Sequence, residues 1–175
     1  PGLLEILLTM LFSSSLMVVM IKRVTMEDPY PGFRRTVALS AAGQSPFKLI
    51  VFPILIGLVL ALISSLMMTM RPVIPQTPFN EMLGKMDSSG IVVFFLVLAL
   101  GVAPLLEEII FRGYFFYVIQ HFKGTRFAIP FIALTFSFLH VGQYWGDGMA
   151  ILVVTVLGFV LTLLRVLNRS TVPSI

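Results

Sequence analysis

The chain has 175 residues, 58% of them hydrophobic and 11% charged, with a mean hydropathy of +1.01, a balance outside the range of a soluble globule. It contains no cysteine, which removes disulfides, thiolate metal ligands and a cysteine nucleophile together. A net charge of +4 could suit nucleic acid, but the basic residues sit in short stretches between apolar runs and form no single stripe, so they read as topology signals and nucleic acid is not an expected partner.

A helix crossing about 30 Å of hydrocarbon needs roughly 20 mainly apolar residues. Five segments approach or meet that length: residues 3–21, 49–70, 91–119, 127–141 and 149–167. All are read as helices, because a bilayer segment must satisfy its backbone groups internally. The second carries no charge; the fifth is uncharged from Met149 to Leu164, and its Gly158 suits close helix contact. The fourth is short enough to be a re-entrant or buried helix. Loops are expected at 22–48, with a turn cluster at 28–32, and at 71–90, with Pro72, Pro75 and Pro78. The expected fold is all-α, a polytopic transmembrane helical bundle of about five segments forming one membrane-embedded domain over 1–175. No basic stretch precedes the first apolar run, so a signal peptide is a poor reading. The last residues read as the approach to a further element of a longer chain.

If all five segments cross, alternate loops share a side. One side then receives Lys22, Arg23, Arg34, Arg35, Lys48, Lys123, Arg126, Arg165 and Arg169, the other only Arg71 and Lys85. This asymmetry marks the first side as cytoplasmic. Tyr144 and Trp145, in the turn at 143–148, suit headgroup depth, and the methionines at 67, 68 and 70 suit adaptable packing.

Chemistry concentrates where charge enters apolar helices. In the third segment the apolar run to Leu106 leads into Glu107-Glu108, followed by Arg112. An ionisable residue at membrane depth costs about 2.5–3.5 kcal/mol on insertion scales and usually faces a partner or a water-filled cavity. Glu108 and Arg112 are four apart and share a face, so the guanidinium can neutralise that carboxylate. Glu107 is rotated by about 100° and is left available for proton transfer. Pro104 can kink the helix just before it. The bland reading is an ion-pair cluster at the membrane interface. His140, in the fourth segment, adds a second ionisable group inside an apolar run. Alone it would be a helix–helix hydrogen-bonding residue; beside Glu107 the two could share a water attacking a carbonyl, or serve as two ligands of a divalent metal such as zinc.

Glu107-Glu108-x-x-x-Arg112 with Phe111-Arg112-Gly113, followed by Phe136-x-x-x-His140, resembles the first two signature motifs of the CAAX-prenyl protease and bacteriocin-processing (CPBP/Abi) family, over about residues 101–175. The resemblance implies an intramembrane endopeptidase in a bacterial or archaeal cell membrane, cutting a membrane-delivered prenylated-protein or bacteriocin-like peptide. Glu107 would be the general base, His140 its partner, and Glu108 with Arg112 a structural or substrate-orienting pair. Glutamate and metal mechanisms have both been argued for the family. It also implies a later histidine followed four residues on by asparagine or aspartate. Only His121 and His140 are present, and His121 reads as an interfacial residue near a helix end. The expectation is that the missing pair follows Ile175 and that residues 1–175 alone are inactive. A transporter subunit using the four polar residues as an ion relay, and a partner-binding protein of the same fold, are the alternatives. Helix lengths also set a difficulty: Glu107 and His140, counted from their segment starts, differ in depth by roughly 14 Å.

Overall fold

The computed structural model describes residues 3–27, 29–39, 45–70, 75–84 and 89–174. Asp28, Arg71, Pro72, Lys85 and Ile175, used in the sequence reading, lie outside them. Among the described residues there is helix and no strand. The order is α1 (Leu3–Val24), the short α2 (Phe33–Thr36), α3 (Phe52–Thr69) after a π turn at Phe47–Val51, α4 (Pro78–Gly84), α5 (Ser89–Val97), α6 (Ala103–Glu108), α7 (Phe116–Lys123), α8 (Thr125–His140), α9 (Gly148–Asn168) and a 3-10 turn at Val172–Ser174.

Four of the five apolar segments correspond to α1, α3, α8 and α9, within a few residues at their ends. The third is not a uniform helix. Its helical path runs through α5, α6 and α7, interrupted by π turns at Leu98–Val102 and Ile109–Phe115. The first π turn immediately precedes Pro104, whose missing N–H and ring disturb the bonding of the turn before it. Both interruptions flank the Glu107-Glu108 pair.

One helix, Gly148–Asn168, is long and apolar enough to cross a membrane among the described residues; Phe52–Met67 and Thr125–His140 are shorter apolar stretches. Burial nevertheless differs from that of a water-soluble protein, with charged groups buried beside an apolar cluster and many large apolar side chains exposed. Arg112 is 0% exposed and Glu108 3%, whereas Phe12, Leu62, Phe138 and Leu167 are each at least 70% exposed. Polar groups inside and large apolar side chains outside suit a lipid surround.

α8 and α9 pack as an antiparallel pair and form the most extensive helix contact; α7 packs on α8, and α1 lies against α6 and the second π turn. Gly158 permits the α8–α9 approach, since a Cβ there would stand 3.1 Å from the Ala133 carbonyl oxygen. Gly124, with φ of 79°, makes the reversal between α7 and α8 in a conformation that side-chain-bearing residues rarely adopt. Asp147 caps α9: its Oδ1 accepts from the Met149 and Ala150 amides at 3.1 and 3.0 Å.

Two expected loops carry more structure than their composition suggests. The second contains α4. The first contains α2 and then folds inward: Val37 is fully buried against Gly113, and the Ala38 carbonyl accepts the Thr171 amide at 3.0 Å. The chain after α9 therefore closes over the loop before α3. Arg165 also needs correction. It was counted with the cytoplasmic loop charges, but it lies in the last turn of α9 and is buried.

Candidate active site

Glu107 and Glu108 end α6 on different faces, as the helical period requires. Glu108 is buried and its Oε1 pairs with Arg112 Nη1 at 2.9 Å. The guanidinium carbon lies 4.1 Å from the centre of the Phe136 ring, a cation–π approach that helps hold a desolvated cation. Arg112 Nη2 also reaches the Gly158 carbonyl at 3.5 Å. Three helical elements thus converge on Arg112. Glu108 Oε2 and Arg112 Nε are buried without a hydrogen-bond partner among the described residues, and Ser174 lies beside Glu108.

Glu107 is half-buried. It makes no hydrogen bond or ion pair among the described residues, yet it lies within electrostatic reach of His140 and Arg112. The depth difference counted from straight segments is therefore not maintained: the π turns and the packing of α8 on α7 and α9 bring the two motifs to one region. Tyr144, in the turn after α8, also feels the Glu107 charge. His140 ends α8, with Nδ1 2.8 Å from the Phe136 carbonyl oxygen. A carbonyl can only accept, so Nδ1 carries the proton, and in the neutral ring Nε2 keeps its lone pair. Phe136 thereby serves twice, its ring toward Arg112 and its carbonyl toward His140; the two ring centroids are 4.4 Å apart.

A free carboxylate near a histidine with an available lone pair can polarise a water molecule or bind a cation. A catalytic zinc takes three protein ligands. Among the described residues no group of three or more histidine, aspartate or glutamate side chains converges. Glu107 and His140 would supply two such donors.

His121 stands apart from this cluster. It is exposed near the end of α7, with its ring 6.4 Å from that of Tyr117. Arg165, which sequence reasoning assigned to a loop, is instead beside the site: its Nε donates to the Arg112 carbonyl at 3.1 Å. Nothing in its sequence position signals a contact across 53 residues. Tyr144 and Ser174 were likewise not singled out as neighbours of the glutamates.

Residues 89–175 match the family model of type II CAAX prenyl endopeptidases, Rce1-like. This part of the chain belongs to that family. The Rce1-like region starts at the first residue of α5, upstream of the resemblance drawn from the motifs, and holds both π turns and all four candidate site residues. Membership implies a membrane protease at the level of the family. No curated protein and no solved structure matches the chain.

Proposed function

We propose that the protein is an intramembrane endopeptidase that hydrolyses a peptide bond of a membrane-delivered peptide, prenylated or bacteriocin-like, by water activated between Glu107 and His140. The observation that carries this reading is the contrast between the two adjacent carboxylates. Glu108 is committed to Arg112, whereas Glu107 is left without a direct partner among the described residues, within electrostatic reach of His140.

In the proposed step Glu107 accepts a proton from water while His140 Nε2 accepts a hydrogen bond from the same molecule. The hydroxide equivalent adds to the scissile carbonyl carbon and gives a tetrahedral oxyanion. Collapse breaks the C–N bond as Glu107 returns the proton to the leaving amine, giving a carboxylic acid and an amine, which become carboxylate and ammonium when the acid proton passes to the amine. Glu108 and Arg112 act as support: their mutual neutralisation holds a charged pair inside the bundle and leaves Glu107 its separate role. A multi-pass arrangement in a cell membrane would deliver such a substrate laterally from lipid.

The test uses the full native protein and its Glu107→Gln and His140→Ala variants on a library of lipid-anchored peptides. Each variant is expected to lose about 10²–10⁴-fold in cleavage rate, the usual contribution of a general acid–base group. Unchanged processing in both would overturn the proposed roles.

A further inference from the structure

Arg165 is a buried cation with no acidic partner among the described residues, an arrangement costly enough in a membrane helix to call for a reason. Its contacts supply one. Its Nε donates to the backbone carbonyl of Arg112 at 3.1 Å, and its guanidinium carbon lies 5.4 Å from the centre of the Phe116 ring.

The Arg112 carbonyl differs from its neighbours because of the π turn at Ile109–Phe115. In an α-helix it would accept from the Phe116 amide, four residues on. Here that amide turns to the Phe111 and Gly113 carbonyls and passes over Arg112. A widened turn of this kind weakens the local hydrogen-bond ladder and persists only where the surroundings hold it. Arg165 contacts both sides of the skipped bond, with its Nε on the acceptor residue and its charge over the ring of the donor residue. Arg112 is also the residue whose side chain holds Glu108 and packs on Phe136.

We infer that Arg165 is a positioning residue: by taking the Arg112 carbonyl it fixes the π turn from which the Arg112 side chain reaches Glu108. Its consequence for cleavage rests on the protease reading, whereas its effect on the helix does not. Arg165 acts from α9 through the backbone of another helix and touches neither Glu107 nor His140.

Arg165→Met keeps the length of the side chain and removes both donor and charge; Arg165→Lys keeps a charge and a donor. In the full native protein, amide hydrogen exchange over 109–117 is expected to quicken at least about 10-fold in Arg165→Met, with α8 unaffected, and to return toward the parent rate in Arg165→Lys. On a peptide that the parent cuts, Arg165→Met should lose about 10-fold in kcat with KM within about 3-fold, and Arg165→Lys should recover most of the loss. Unchanged exchange in Arg165→Met overturns the inference. So does a rise in KM at constant kcat, which would make Arg165 a substrate-binding group. A parent that cuts nothing, with Arg165→Met still loosening 109–117, overturns the protease reading and supports the positioning role.

Discussion

Adjacent carboxylates on one helix acquire different chemistry here because each residue advances the helix by about 100°. Glu108 turns toward Arg112 and is neutralised, while Glu107 turns toward the region of His140 and Tyr144. Tyr144 reports on that environment from the turn outside the helices. Burial pushes its phenol above the ordinary tyrosine range, and the Glu107 charge adds to the rise. Because the folded phenol keeps its proton to higher pH than the unfolded one, its contribution to stability is intact below about pH 10 and is lost as the pH rises from there through the folded pKa. Tyr144→Phe should therefore flatten the loss of thermal stability above about pH 10. A loss as steep as the parent's, in melts of detergent-solubilised protein, would contradict this.

At the scale of the element, the site depends on close approaches that only small residues allow. A Cβ on Gly113 would lie 2.8 Å from Val37 Cβ and 3.3 Å from Val37 Cα, so the loop before α3 could not keep its seat on the second π turn. Gly113→Ala is expected to destabilise the fold by about 1–3 kcal/mol, the usual range for overpacking, as measured by thermal unfolding in detergent. Val37→Ala should rescue little of this, because the nearest opposing atom is Cβ itself. Full rescue would place the strain elsewhere. The helical character of α1, α3, α8 and α9 was legible in the apolar runs, whereas that of α2 and α4 was not. Nor were the π turns: α1, α8 and α9 pack against the second, and Pro104 by itself suggests a kink without specifying the widened turn that precedes it.

Across the whole molecule, buried charge and exposed apolar surface fit a lipid surround, yet the short α8 leaves its crossing as the sharpest topological test. Its 16 residues span about 24 Å, against about 30 Å of hydrocarbon. The absence of cysteine from residues 1–175 makes a direct test practical. Phe122 and Trp145 flank α8 and are 74% and 70% exposed. Single Phe122→Cys and Trp145→Cys variants in sealed vesicles should be labelled by impermeant thiol reagents from opposite sides, with Phe122→Cys on the cytoplasmic side. Labelling of both from the same side would make α8 a re-entrant element.

What the sequence alone determined about this protein follows from local chemistry: an all-helical, lipid-compatible composition, the pairing of Glu108 with Arg112 four residues on, and the two motifs shared with the prenyl endopeptidases. Each depends on residue type and short spacing, which survive in a one-dimensional reading. Only the tertiary structure decided that Glu107 and His140 come within electrostatic reach and that Arg165 turns inward to the Arg112 carbonyl. Those features depend on where separate helices cross and on a backbone hydrogen bond displaced by a π turn. No periodicity along the chain encodes either.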